Sequence, residues 1–320
     1  MTSAKGLLLA ATAAILWGSA GTAQTFITPD TLTPFWVGAL RLVFSAIFFS
    51  FLSFIGPKAS ANQSTETSAR QPYGLLVVAA GFAMAFFNML FFAGVKVAGV
   101  ALGSCMIIGS APVWAGILET IIFRKKPALL WIVGVCVAIA GGVWMAVSQA
   151  DSVSVSAGGF ITCLAAGLCY SSYSLLAKEL VKRVSPLRAS THTFITAMCV
   201  ALPAAWLMSG SPVIVVSDLI VVLYLGLIVT GVAYLLYSTA LKTVQVSTCV
   251  ALGLLEPVTA FVLAIVVVGE NINGWATVGL VVILAGLAIV MRSEQQSGQS
   301  SNKKRQLKYK RLCFRQFRLV

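Results

Sequence analysis

An acidic residue followed by proline lies near the middle of one of the most apolar runs of the chain. Glu256 and Pro257 interrupt residues 246–268, a run that is long enough to cross a bilayer as a helix of about 20 residues. An ionisable side chain at such a depth costs at least about 2.5 kcal/mol by insertion scales. The proline removes a backbone donor and frees the carbonyl group of Gly253. The pattern therefore predicts a broken helix that lines a cavity or a pathway.

Two earlier apolar runs also contain a helix-breaking or a charged residue. Pro112 lies at the matching point of an earlier apolar run, where Ala111 stands in place of Glu256, and we predict helix breaks at both Pro112 and Pro257. Arg41 lies roughly 12 Å into its own run at 1.5 Å per residue. It could bind a substrate carboxylate or pair with Glu256; alternatively, it could extend to the membrane surface or bond free carbonyl groups.

Aromatic residues with polar tips recur in the neighbouring runs. Trp17 and Tyr170 hold matching positions in the first and sixth runs, while Asn88 in the third run matches Tyr234 in the eighth, with Tyr237 one turn later. Aromatic walls with a few polar groups suit a small organic ligand, and the buried polar atoms need partners. The predicted substrate-binding set is Glu256, Arg41, Asn88, Tyr234, Tyr237, Trp17 and Tyr170.

The composition predicts the environment in which these residues lie. Of the 320 residues 59% are hydrophobic and only 10% are charged, with a mean hydropathy of +0.95. Soluble domains carry roughly 25% charged residues, so the chain is a polytopic membrane protein. The net charge of +13 comes mostly from short loops and the last 29 residues. That distribution favours contact with lipid headgroups rather than with nucleic acid.

The sequence predicts neither a metal nor a cofactor. His192 is the only histidine, and no cysteine pair has the spacing of a zinc site. No P-loop motif is present, so the chain has no ATPase site of that type.

Ten apolar runs, here called spans, predict an all-α integral membrane protein with ten transmembrane helices. They cover residues 6–27, 33–55, 73–94, 98–122, 128–148, 156–177, 189–209, 218–240, 246–268 and 273–291. The even-numbered loops contain Lys58, Arg70, Arg124, Lys125, Lys126, Lys178, Lys182, Arg183, Arg188 and Lys242, whereas the odd-numbered loops contain only Lys96. Because positive loops stay in the cytoplasm, both termini are predicted to be cytoplasmic.

The two halves of the chain repeat one another. Residues 133–141 match residues 278–286, and each half has five spans, so the second half must cross the membrane in the inverted orientation. We predict a first repeat over 1–148, a second over 156–291 and a basic cytoplasmic tail over 292–320. Glycines seven residues apart in spans five and ten predict close helix packing; they are Gly134, Gly141, Gly279 and Gly286.

Glu119 is a further acidic residue within an apolar span. It precedes Arg124, Lys125 and Lys126 at the predicted cytoplasmic end of span four. We expect a structural ion pair with these basic residues.

Several short motifs in a fixed order resemble the EamA family of the drug/metabolite transporter superfamily. They are Trp17-Gly18, Pro34 with Arg41, Ala111-Pro112 and Leu255-Glu256-Pro257, set in ten spans over residues 6–291. The resemblance implies a carrier of the bacterial inner membrane with a central cavity and alternating access. Such carriers usually export amino acids or related metabolites. Tyr170 stands where exact repeat symmetry would place a second tryptophan.

The sequence thus favours a secondary transporter of small organic metabolites, with export expected. A channel would need a continuous ring of polar residues, and an enzyme would need clustered catalytic groups; neither pattern is present in the spans. A carrier for a vitamin, a nucleoside or a sugar remains an alternative. Proton coupling and facilitated diffusion are both compatible with the sequence, which leaves the oligomeric state open.

Overall fold

A computed structural model of the chain describes residues 3–28, 31–55, 72–98, 100–124, 127–148, 157–269, 274–275, 277–293 and 296. Most of the predicted basic tail and the basic residues Lys58, Arg70, Lys125 and Lys126 lie outside these ranges. Within them the chain is almost entirely helical and contains no strand.

The helices coincide with the apolar spans. They are α1 (Ser3–Gln24), α2 (Pro34–Ile55), α3 (Tyr73–Ala98), α4 (Val100–Phe123), α5 (Leu129–Ser148), α6 (Ala157–Arg183), α7 (Pro186–Ser209), α8 (Val216–Tyr224), α9 (Ala233–Ala240), α10 (Val246–Leu252), α11 (Leu255–Leu263) and α12 (Thr277–Ser293). A π-helical segment, Leu225–Val232, joins α8 to α9, and a second one, Ala264–Val268, follows α11.

Seven helical stretches in the described ranges are long and apolar enough to cross a membrane. Three shorter apolar helices accompany them, at Met106–Ile122, Leu129–Trp144 and Thr277–Ser293. The protein is therefore a multi-pass helical membrane protein.

Helices of the first half pack mainly against helices of the second. Helix α3 lies against α6 and α7, α2 lies against α7, α1 lies against α9 and α11, and α4 lies against α6 and α10. Helices α5 and α12 approach backbone to backbone: a Cβ atom built on Gly134 would lie 2.9 Å from the carbonyl oxygen of Gly286. One on Gly141 would lie 2.7 Å from the amide nitrogen of Ile283, which confirms the close packing predicted from the glycine spacing.

The two prolines have different effects on their helices. Helix α4 continues without interruption through Pro112, so the break expected there is absent. The carbonyl that loses its usual partner is that of Ile108, four residues before the proline. The hydroxyl of Ser171 on α6 donates to the adjacent Ala111 carbonyl oxygen over 2.7 Å and so holds α6 against this point of α4.

The run that contains Pro257 is divided by a turn at Gly253 and Leu254, between α10 and α11. The Gly253 carbonyl, which proline deprives of its usual partner, accepts the amide of Glu256 over 2.9 Å instead. The tight turn therefore keeps the backbone paired while it sets Glu256 at the start of α11.

Glu119 holds a helix end rather than a basic side chain. It is buried, and its carboxylate accepts the amides of Val246 over 3.0 Å and Ser247 over 3.2 Å. These are the first residues of α10, whose leading N–H groups have no partner within the helix. Among the described residues the expected ion pair with Arg124 does not form.

Candidate functional site

Four aromatic side chains from three helices meet in the middle of the bundle. The Trp17 ring on α1 lies 4.9 Å from that of Tyr234, 5.2 Å from that of Tyr237 and 6.1 Å from that of Tyr170, measured between ring centroids. All four are buried. Offset and edge-to-face contacts at such distances are favourable for aromatic rings. We call these four residues the aromatic cluster.

Further rings extend the aromatic cluster on two sides. Phe87 on α3 lies 5.1 Å from Tyr170, while Tyr173 on α6 and Phe194 on α7 lie 5.7 Å and 5.1 Å from Tyr234. Five spans thus contribute to one continuous aromatic wall, as a small-molecule site between helices requires.

One polar atom of the aromatic cluster is left without a partner. Trp17 Nε1 is buried and forms no hydrogen bond with a described residue, whereas the Tyr170 hydroxyl interacts with that of Tyr237. The hydroxyl of Tyr237, in contrast, donates to Ser174 Oγ over 2.8 Å. Buried polar groups in native proteins are nearly always satisfied, so the orphaned Trp17 Nε1 points to a ligand or water beside it.

Gly18 brings the aromatic cluster against the interrupted helix. A Cβ atom on Gly18 would lie 2.5 Å from Thr259 Cβ and 2.6 Å from the carbonyl oxygen of Glu256. Only a glycine permits so close an approach of α1 to α11. Trp17 is consequently fixed beside the first turn of α11, where Glu256 lies.

Arg41 uses little of its hydrogen-bonding capacity on the residues that the structure describes. Its Nε donates to Thr230 Oγ1 over 3.2 Å, which is the only hydrogen bond that its guanidinium makes within the described ranges. The two Nη groups are not sealed off from solvent, and the side chain keeps an intermediate exposure. Two free Nη groups in a plane suit bidentate binding of a carboxylate.

Glu256 likewise has no direct hydrogen-bond partner among the described residues. Its side chain has an intermediate exposure, and its carboxylate forms no hydrogen bond with any residue that the structure describes. Electrostatic interactions connect it with Arg41, Tyr170 and Tyr234. However, no Arg41–Glu256 ion pair within 4.0 Å is formed. Two opposite charges therefore lie near each other and remain available to a third group.

Asn88 is the one predicted site residue that no described contact connects with the others. Its amide donates to the Met84 carbonyl oxygen of its own helix over 2.9 Å. Its side chain lines a narrow cavity between α2, α3 and α7, together with Phe35, Gly38 and Ala201. The six other predicted residues are linked by ring contacts or electrostatic interactions.

Sequence reasoning missed three residues that support this site. Thr230 holds Arg41, Ser174 accepts the Tyr237 hydroxyl and Phe194 packs on Tyr234. Each is of a type common in membrane helices, so residue type alone gave no signal. Only the packing of separate helices reveals these roles.

The chain is similar to a known family and to several known proteins. The sequence profile of the EamA-like transporter family matches residues 4–147 and 157–292. An uncharacterized transporter of Bacillus subtilis (strain 168), YwfM, is 32% identical over 278 residues, which cover 87% of this chain and 90% of that protein. Another, YxxF, is 25% identical over 290 residues, or 88% of each chain.

A solved crystal structure has the same fold. It superposes with a TM-score of 0.76 at 17% sequence identity, and the match covers 92% of this chain and 99% of that one. Because the family profile matches nearly the whole helical region in two segments, this chain belongs to the EamA-like transporter family.

Proposed function

We propose that the protein is a secondary transporter that moves small organic metabolites, amino acids or related compounds, out of the cell by alternating access. The observation that carries the proposal is the pair Arg41 and Glu256. Electrostatic interactions connect the two side chains with each other and with tyrosines of the aromatic cluster, and no ion pair joins them among the described residues. A site of this kind at the junction of two bundles is typical of secondary transporters.

The chemistry of the site favours a zwitterionic substrate. The free Nη groups of Arg41 suit a carboxylate, and the free carboxylate of Glu256 suits an ammonium group. The aromatic cluster offers apolar surface to a side chain between them, and Trp17 Nε1 supplies a further polar contact. A free amino acid carries both charges on one carbon atom, so it bridges two such groups at once.

The scaffold that we propose consists of ten transmembrane helices in two inverted five-helix repeats, 1–148 and 156–291. Support comes from the helix contacts, which correspond in pairs when each span is exchanged with its counterpart in the other half. Under this exchange the first span takes the place of the sixth, the second of the seventh, the third of the eighth and the fourth of the ninth. The contact of α3 with α6 then corresponds to that of α1 with α9, and the contact of α4 with α6 corresponds to that of α1 with α11. The contact of α3 with α7 corresponds to that of α2 with Leu225–Val232, and the contact of α2 with α7 corresponds to itself.

The contacts around the two prolines support the same symmetry. Gly18 touches the Glu256 carbonyl oxygen, which precedes Pro257, and Ser171 donates to the Ala111 carbonyl oxygen, which precedes Pro112. The first and sixth spans thus meet the ninth and fourth spans at equivalent points, while only the second half carries a carboxylate there.

The distribution of basic residues supports a bacterial inner-membrane location with both termini and the tail 292–320 in the cytoplasm. Single cysteines placed in a cysteine-free variant test this orientation. A probe that cannot cross the membrane must label a cysteine in an odd-numbered loop from outside and must not label one in the tail.

Competition by charge-deleted analogues tests the substrate class. Proteoliposomes are first supplied with a mixture of radiolabelled amino acids to find which compounds they take up. Uptake of each transported compound is then measured in the presence of its unlabelled amide, which lacks the carboxylate, or of its unlabelled deaminated acid. We expect both analogues to compete about tenfold less well or worse, because a hydrogen bond to a charged group contributes about 1.5–3 kcal/mol. Equal competition by all three compounds contradicts the proposal.

Two substitutions assign the charges. Arg41→Gln must remove the discrimination between an amino acid and its amide, and Glu256→Gln must remove the discrimination between an amino acid and its deaminated acid. Trans-stimulation of uptake by unlabelled substrate distinguishes a carrier from a channel, since only a carrier returns its loaded site. Single-channel currents without trans-stimulation would favour the channel.

A further inference from the structure

The π-helical segment Leu225–Val232 gives Thr230 an unusual hydrogen-bond register. Its hydroxyl donates to the carbonyl oxygen of Leu225, five residues back, over 2.7 Å. In an α-helix the corresponding bond reaches four residues back, as in Thr239 to Leu235 later in the same span. Short π-helical insertions occur frequently at functional sites.

This register determines which way the Thr230 hydroxyl can interact with Arg41. A hydroxyl group has one hydrogen to donate, and Thr230 gives it to Leu225. Its oxygen is therefore left as an acceptor, and Arg41 Nε donates to it over 3.2 Å. Thr230 is buried, so no exchange with bulk water weakens this contact.

Close packing holds the π-helical segment against the helix that carries Arg41. A Cβ atom on Gly226 would lie 2.5 Å from Phe44 Cβ and 3.3 Å from the Arg41 carbonyl oxygen. One on Gly231 would lie 2.7 Å from the ring of Phe48. Arg41, Phe44 and Phe48 follow one face of α2, and the two glycines that contact this face flank Thr230 within the segment.

We infer that Thr230 is a positioning residue for substrate binding: it fixes the Arg41 guanidinium through Nε and so directs both Nη groups into the site. This inference rests on the proposed function for its consequence in transport. Without the acceptor, the long arginine side chain would sample several rotamers, and each substrate carboxylate would have to order it on binding.

Thr230→Val is the test variant because it keeps the shape of the side chain and removes the hydroxyl. Thr230→Ser restores the acceptor. Thr239→Val is the matched control, since it deletes a threonine hydroxyl in the same span that bonds only its own helix. Uptake of each transported radiolabelled amino acid into proteoliposomes is then measured. We expect Thr230→Val to raise the KM of each one about tenfold, with the maximal rate changed less than about threefold. Thr230→Ser and Thr239→Val should stay near the wild-type KM.

A second readout does not depend on transport. In purified protein labelled with ¹⁵N-arginine, the Nε–H signal that disappears in Arg41→Lys reports the hydrogen bond to Thr230. Its exchange with water should accelerate about tenfold in Thr230→Val and remain slow in Thr230→Ser and Thr239→Val.

The two readouts separate the inference from the proposed function. Unchanged Nε–H exchange in Thr230→Val overturns the positioning role, whatever uptake shows. An equal rise of KM in Thr239→Val also overturns it, because the effect would then be a general loss of helix packing. Accelerated exchange in a protein that transports no amino acid supports the Thr230–Arg41 contact and overturns the proposed substrate class.

Discussion

Replacement of Gly18 by alanine should disturb the site at its closest backbone contact. The new Cβ atom would lie 2.5 Å from Thr259 Cβ and 2.6 Å from the Glu256 carbonyl oxygen, whereas ordinary contact begins at 3.4 Å. Helices α1 and α11 would therefore have to separate by roughly 0.9 Å, and overpacking of this kind destabilises by about 1–3 kcal/mol. The separation would also move Trp17 away from Glu256.

Gly21→Ala is the matched control on the same helix. A Cβ atom on Gly21 meets nothing within 4 Å, so this change should be neutral or stabilising by up to about 1 kcal/mol, since alanine favours a helix over glycine. Apparent melting temperature in detergent and proteoliposome uptake should both fall in Gly18→Ala relative to Gly21→Ala. Identical melting temperature and uptake for the two variants would refute the close contact at Gly18.

Three other substitutions address the scaffold. Gly286→Ala should lower the apparent melting temperature by forcing α5 and α12 apart, because its Cβ atom would lie 2.4 Å from the amide nitrogen of Ala138; an unchanged temperature would contradict the packing. Glu119→Gln should destabilise by about 1.5–3 kcal/mol in denaturant titrations through loss of charged hydrogen bonds to the start of α10, and no loss would refute that role. Trp36→Phe should destabilise by about 0.5–1.5 kcal/mol in the same titration, because it removes the 2.8 Å bond from Trp36 Nε1 to the Gly210 carbonyl oxygen; wild-type stability would exclude a contribution from this bond.

Hydropathy was sufficient to predict the helical segments. Each apolar span of the sequence coincides with a described helix or helix pair, because a backbone in lipid must satisfy its hydrogen bonds within the helix. The glycine spacing also predicted the contact between α5 and α12, because glycines on one face of a helix allow a second helix to approach its backbone closely.

The sequence could not predict how each proline would act. Pro112 and Pro257 occupy equivalent positions, yet α4 continues through the first, while a turn at Gly253 and Leu254 precedes the second. At the second proline the Gly253 carbonyl accepts the Glu256 amide within the turn, a local hydrogen bond that the residue types alone do not predict.

The candidate site was predictable in its residue types but not in its connections. Arg41, Glu256 and the aromatic cluster stand out as polar or ring-bearing residues within apolar runs, whereas Thr230 does not. Its role depends on the π-helical register of Leu225–Val232, which the apolar sequence of that segment does not encode visibly. Glu119 was equally ambiguous, since a carboxylate near basic residues can serve an ion pair or a helix terminus.

Flux of radiolabelled amino acids into proteoliposomes, with and without a pH gradient, tests the central claim most directly. The account predicts saturable uptake by the wild-type chain, with a KM that rises about tenfold or more in Glu256→Gln, and enhancement by the gradient would add proton coupling. Saturable uptake that persists unchanged in Glu256→Gln would contradict the proposed site. Absence of uptake for every amino acid would contradict the proposed substrate class and direct the search to vitamins, nucleosides or sugars.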